Sequence, residues 1–219
     1  MSYADFDKIS QLPWSRAMYD DIINTFFTRL KIIQKDLHIK EDFKVIDIGC
    51  GPAGLSLALL RKVNLKDIYL LDIREEGLSK AKERINNEHP MTKVHIVKSD
   101  VHEIPLDENQ FDLIISRGSL QFWKDQRKAL GEIRRILKPK GIAYIGGGRG
   151  STSFQEKRLK EDKDWLPENF NKDYAKKRKL SSNKLENWEY ENFFNSFKDF
   201  YKIYDHLGDG YWMVWRKEK

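Results

Sequence analysis

The chain is poor in cysteine: its 219 residues include one, Cys50. No intramolecular disulfide can form, and a cysteine-rich metal site is ruled out, so no metal is expected. Long apolar runs are missing too; none approaches the roughly 20 residues of a membrane-spanning helix. The N-terminal stretch lacks the pattern of a secretory signal. Internal repeats and low-complexity linkers are absent. Together these absences predict one soluble, cytoplasmic domain over 1–219. The formal charge of +6 is spread along the chain. It favours acidic partners in general without singling out nucleic acid.

What is present is organised around residues 43–60, F-K-V-I-D-I-G-C-G-P-A-G-L-S-L-A-L-L. A short β-rich run, Val45, Ile46 and Ile48, leads into Gly49-x-Gly51-x-x-Gly54. An apolar helical pattern follows. A strand feeding a glycine turn feeding a helix is the setting in which this spacing signals nucleotide binding. Asp47 bears on which nucleotide. A dinucleotide site welcomes a pyrophosphate at the turn, and an acid two residues before the first glycine would repel it. The same acid suits S-adenosylmethionine, which carries an ammonium, a sulfonium and no phosphate. Asp47 is therefore the feature that argues against a nicotinamide oxidoreductase. Cys50, a small residue inside the turn, does not read as a nucleophile.

The rest of the chain alternates strand and helix. Apolar positions from Met18 to Ile33 recur at helical spacing over 14–34, and Trp14 and Tyr19 fit either core packing or a lid. A second strand, 67–72, ends in Asp72, roughly 20 residues past the glycines, where an acid can accept from ribose hydroxyls. As a helix cap it would serve equally, and the two roles are compatible. A helix over 75–87, a strand over 93–98 ending before Asp100, a continuous apolar strand over 111–116, a helix over 125–137 and a strand over 142–145 complete the pattern. It implies a parallel sheet with helices on both faces. The carboxyl ends of its strands carry Asp47, Asp72, Asp100, Ser116 and Gly146, where open α/β sheets bind ligands. Residues 151–198 form an insert dense in lysine, glutamate and aromatics, with a basic run at 176–179 that fits a solvated helix face. Residues 199–219 read as an antiparallel hairpin at the sheet edge.

Taken in order, V-I-D-I-G-C-G-P-A-G-L-S, Y-L-L-D-I-R, V-K-S-D-V-H-E-I-P-L, F-D-L-I-I-S-R-G-S and R-I-L-K-P-K-G resemble the class I S-adenosylmethionine-dependent methyltransferases. The nearest branch is that of the menaquinone and ubiquinone C-methyltransferases. The S-R-G-S, Y-I-G-G-G and G-D-G-Y-W segments also look like small methyltransferases of anaerobic archaea and clostridia. The resemblance implies a Rossmann-like, doubly wound, mostly parallel seven-stranded sheet, the last strand antiparallel. It implies S-adenosyl-L-methionine as cofactor and S-adenosyl-L-homocysteine as product. Gly49, Cys50 and Gly51 would line the methionine moiety with Asp47 beneath; Asp72 and Ile73 would meet the ribose end. Asp100 and Val101 would meet the adenine, and Ser116 and Arg117 would flank the methyl.

Two nucleic-acid chemistries lack their residues: S-R-G-S stands where an N-P-P-Y tetrad would serve base amino groups, and no second cysteine exists to attack a pyrimidine. A small-molecule acceptor, anionic or aromatic, is the expectation; RNA or protein methylation through 176–179 is the alternative, and a cofactor-binding protein without catalysis is a further one. As catalytic residues, His102 is the first candidate for a base and Glu103 the second. Arg117 could bind a carboxylate or phosphate or pair with a structural acid, and Arg149 is a weaker candidate of the same kind.

Overall fold

The first strand to follow the opening helix becomes the middle of the sheet. In the computed structural model, which describes residues 13–35, 38–161, 185–206 and 209–219, β1 (Val45–Ile48) pairs in parallel with β2 (Asp67–Asp72) on one side and β4 (Phe111–Arg117) on the other. All four β1 residues are buried, as a strand covered by helices on both faces must be. β3 (Lys93–Lys98) extends the β2 side, and β5 (Leu137–Gly147) extends the β4 side. The hairpin β6 (Phe200–His206) and β7 (Gly210–Arg216) closes the sheet, giving the order β3-β2-β1-β4-β5-β7-β6. β7 alone runs opposite in direction to the other six strands. The architecture is the doubly wound sheet the motifs implied.

Two apolar layers flank it. On one face lie α1 (Pro13–Ile33), α2 (Gly54–Leu60) and α3 (Glu75–Glu88), contributing among others Phe26, Leu57 and Ile85 to one core. On the other lie α4 (Gln126–Ile136) and α6 (Asn187–Phe197), with Leu130, Ile133, Tyr190 and Phe194 in a second core. Each such side chain withdrawn from water contributes about 1.5–3 kcal/mol. α5 (Thr152–Glu161) buries no residue fully. Tyr190 and Phe194 show that aromatics of the 151–198 insert dock on the sheet. Trp165, Phe170, Tyr174 and the basic run 176–179 lie outside the described residues.

Pro13 opens α1, where a missing N–H costs nothing. The strand expected over 142–145 is longer, β5 starting at Leu137 with a bulge near its start: pairing jumps from Phe111↔Leu137 to Leu113↔Ile142, and Lys140 takes a φ of 66°. Among the described residues, no helix is long and apolar enough to cross a membrane.

Candidate functional site

The glycine loop sits at the carboxyl end of β1, and the N–H groups from 49 to 53 are all taken up within the chain. Gly49 and Cys50 donate their N–H groups to the Leu71 carbonyl at 2.7 and 3.0 Å. Gly51 N–H donates to Asp72 Oδ2 at 2.9 Å. Pro52 has no N–H, and Ala53 N–H goes to the Cys50 carbonyl at 2.9 Å. From 49 to 53 no N–H is left to hold a phosphate. Gly49 and Gly51 reach this shape with φ of 66° and 50°, a conformation that suits glycine. Gly49 is also pressed from above: a Cβ there would stand 2.5 Å from Ser119 Cβ. Gly51 and Gly118 face open space, where a Cβ would meet nothing within 4 Å.

The acids beneath and beside the loop have distinct environments. Asp47 is 1% exposed and accepts a 2.6 Å bond from the Ser56 hydroxyl on α2. Burial pushes its carboxyl up to about 7; the Ser56 hydroxyl pulls the other way, and the Asp72 charge adds to the rise. Asp47 thus does not face a ligand directly, as the sequence reading supposed; it acts as a partly ionised group under the floor of the loop. Asp72 spends one oxygen on Gly51 N–H and the other on Arg74 N–H at 2.9 Å. Each carboxylate oxygen still has a further lone pair. Burial, with Asp47 and Asp72 adding, raises the Cys50 thiol well above its usual range, which keeps it a neutral, inert group. Ile73, next to Asp72, is 62% exposed.

Asp100 holds the loop after β3. Its Oδ1 accepts from His102 N–H at 2.9 Å and from the His102 ring at Nδ1. These bonds to His102 hold its carboxyl below the usual carboxylate range. Half of its side chain stays exposed. Val101 is buried. The other ring nitrogen of His102, Nε2, accepts the Asp125 N–H at 3.0 Å. With Nδ1 turned to a carboxylate and the Nε2 lone pair spent, His102 has no lone pair to take a substrate proton, which argues against the base role expected of it. The ring instead ties the post-β3 loop to the N-cap of α4.

At the end of β4, Ser116 is fully buried. Its hydroxyl donates to the Ile48 carbonyl at 2.7 Å and lies 2.6 Å from the Ser119 hydroxyl. Held there, it faces the end of β1 rather than open space, in contrast to the flanking position expected of it. Arg117 donates twice to the Gly148 carbonyl, at 3.2 and 2.8 Å, once to the Tyr19 hydroxyl at 3.1 Å, and at 3.5 Å to the Met18 sulfur. Every partner is uncharged. Among the described residues, Arg117 has no carboxylate within ion-pair reach, so the alternative of a structural acid does not hold for them. Tyr19 in turn packs closely on Gly54, the last glycine of the loop: a Cβ there would come within 2.4 Å of its ring.

The methyltransferase domain family matches residues 46–145. A demethylmenaquinone methyltransferase of Staphylococcus haemolyticus is 33% identical over 113 residues, 51% of this chain and 46% of that protein. A chloroplastic 2-methyl-6-phytyl-1,4-hydroquinone methyltransferase of Oryza sativa subsp. japonica is 30% identical over 104 residues, 48% of this chain and 30% of that protein. The chain therefore spans less than half the length of these curated relatives. The crystal structure of a candidate S-adenosyl-L-methionine-dependent methyltransferase from Methanococcus maripaludis is similar throughout. It shares 30% identity and a TM-score of 0.75, over 99% of this chain and 92% of that one. The chain belongs to the S-adenosylmethionine-dependent methyltransferases.

In this methyltransferase the matched stretch, 46–145, runs from β1 through β4 and takes in the loops that follow these strands. The relatives named for quinone and hydroquinone substrates agree with the branch its motifs resemble, and the archaeal structure agrees with the second resemblance. The sheet edge gathers Asp47, Gly49, Cys50, Gly51, Asp72, Ile73, Asp100, Val101, Ser116 and Arg117 around the loop ends after β1 to β4. Sequence reasoning missed Ser56 and Ser119, and left Tyr19 undecided. The signal for Ser119 was its pairing with Ser116 in S-R-G-S across from a glycine; nothing in the periodicity pointed to Ser56.

Proposed function

We infer that the protein transfers a methyl group from S-adenosylmethionine to a small aromatic acceptor of the quinol or hydroquinone type. The observation that carries the cofactor part is the turn at 49–53: its N–H groups are spent within the chain, a buried acid lies under its floor and open space lies over Gly51. A phosphate-free, positively charged nucleoside fits that donor set. The cofactor supplies a methyl group on a sulfonium. Gly49, Cys50 and Gly51 would line its methionine end above Asp47, and the remaining lone pairs of Asp72 would accept from the ribose hydroxyls. Ile73 offers an exposed apolar side chain for the adenine ring, and the outward oxygen of Asp100 can accept from its amino group, with the Val101 backbone alongside.

Methyl transfer is an in-line displacement, and much of its acceleration comes from alignment in a site that excludes water. The chain's contribution is to fix the loop: Ser116 and Ser119 pin the end of β1, and Arg84 donates to the Pro52 carbonyl at 2.7 Å. His102 is assigned a positioning role, for lack of a free ring nitrogen. The acceptor class follows the relatives' names. An acceptor on RNA or protein has only the 176–179 run in its favour.

The test has two steps. Calorimetry should detect binding of S-adenosylhomocysteine and none of NAD; the reverse result sinks the reading. Labelled methyl should then pass from S-adenosylmethionine to a member of a hydroquinone panel and not to tRNA. Transfer to tRNA alone would replace the acceptor assignment.

A further inference from the structure

The methyltransferase reading leaves one strong cation unused. Arg117 carries five N–H donors, and four are spent, all on neutral acceptors. One of those bonds ends on a thioether sulfur, a weak acceptor. Among the described residues, Nη1 therefore keeps one hydrogen with no partner, and Nη2 keeps one that is poorly used. The Tyr19 hydroxyl accepts from Arg117, so its own hydrogen is also uncommitted among the described residues. The guanidinium carbon stands 5.0 Å from the centre of the Tyr19 ring, and that ring rests on Gly54. Among the described residues, one unspent guanidinium N–H, one held only by sulfur, the Tyr19 O–H and a full positive charge thus stand next to the glycine loop.

The loop is polarised as a result. Asp47 and Asp72 lie under it and beside it, and the guanidinium stands against the Tyr19 ring that packs on Gly54. An amino-acid zwitterion has the complementary pattern, with an ammonium for the acids and a carboxylate for the guanidinium. A carboxylate that takes one hydrogen from each terminal nitrogen of Arg117 forms the bidentate, charge-assisted pair that arginine favours. It need displace only the sulfur contact, and the Gly148 and Tyr19 bonds can persist.

Resting on the methyltransferase reading, we propose that Arg117, positioned by Tyr19, binds the α-carboxylate of the cofactor's methionine end. Arg117 is then a cofactor-recognition group and not the selector of an anionic acceptor. Helix α1 becomes part of the site through Tyr19, which both orients the guanidinium and adds a hydroxyl donor.

Binding alone tests this, without any acceptor. The probes are S-adenosylhomocysteine and its decarboxylated analogue, in which an aminopropyl chain replaces the amino acid, titrated calorimetrically into the parent, Arg117→Met, Arg117→Lys and Tyr19→Phe. The expected result is that Arg117→Met weakens S-adenosylhomocysteine roughly ten- to a hundredfold and leaves the analogue within about threefold of the parent. Arg117→Lys, which keeps the charge and loses the fork, should fall between. Tyr19→Phe should cost about fivefold for the first ligand and nothing for the second. The analogue reports folding in each variant, and Arg117→Lys carries the comparison if the methionine variant does not fold. Equal losses for both ligands, or no loss for either, overturn the proposal and leave the methyltransferase reading standing. A parent that binds neither ligand overturns both. If the parent and Arg117→Met bind S-adenosylhomocysteine alike but a carboxylated hydroquinone binds only to the parent, the carboxylate belongs to the acceptor, and the proposal falls.

Discussion

Asp47 shows what a single residue can cost and contribute. Its carboxyl titrates at about 7 in the fold against 3.8 for the unperturbed group. The folded chain therefore holds this proton more tightly than the unfolded one. The protonated form's contribution to stability is present at low pH and is lost as pH rises from about 4 to about 7, after which the cost is constant. Asp47→Asn keeps an acceptor for the Ser56 hydroxyl and removes the charge. The variant should melt above the parent near pH 8, with the gap closing towards about pH 4. A gap that does not change with pH would refute the assignment. A sulfonium over the loop favours the ionised acid. The parent's preference for S-adenosylmethionine over S-adenosylhomocysteine should therefore weaken as pH falls through about 7, and Asp47→Asn should show no such trend. The sequence placed Asp47 at the right turn and gave the right sign of charge. It could not give its direction, because strand alternation was obscured in a run buried on both faces.

At the scale of elements, the site depends on ties between segments distant in sequence. His102 joins the post-β3 loop to the N-cap of α4, where the Asp125 side chain also accepts from Lys128 N–H at 2.9 Å. His102→Ala removes that tie, costs about 1 kcal/mol of stability and should lower turnover less than tenfold; a general base would be worth about a hundredfold or more. A loss of that larger size would restore the base role. α1 is tied to the hairpin in a similar way. Arg29 is almost fully buried, donates to the Tyr144 hydroxyl at 2.9 Å and pairs with Asp209 at 3.5 Å. Asp209 also caps α5 by accepting from Thr152 N–H and its hydroxyl at 2.8 Å. Arg29→Met should destabilise by about 2–3 kcal/mol in chemical denaturation; a loss under about 0.5 kcal/mol would mean that the pair is dispensable. The order and type of the described elements were legible from periodicity and turn residues, because each element's pattern is local. These ties were not, since partners 23, 115 and 57 positions apart leave no spacing signal.

Across the whole molecule, the two apolar cores lie back to back on one sheet and share every central strand. Neither can be lost while the other persists, because unpairing β1 from β4 opens both. We therefore predict that the described elements unfold as a single domain. Far-ultraviolet circular dichroism and tryptophan fluorescence should report coincident transitions. Two separated transitions would divide the chain into independent units. The hairpin was recognisable in the sequence as two strands at the sheet edge. Its placement was less so: β7, the later strand, lies against β5, and β6 is outermost.

That inversion has a consequence for synthesis on the ribosome. β6 emerges ahead of β7, yet among the described strands it shares no ladder with β5 and pairs with β7 alone. Until β7 is available, the flank of β5 stays unpaired and β6 waits beside it with nothing to join. The closing of this border is thus a late event, reached only after the Tyr211–Arg216 stretch has cleared the exit tunnel, and until then the growing chain presents a strand border that a chaperone or a neighbouring nascent copy could occupy.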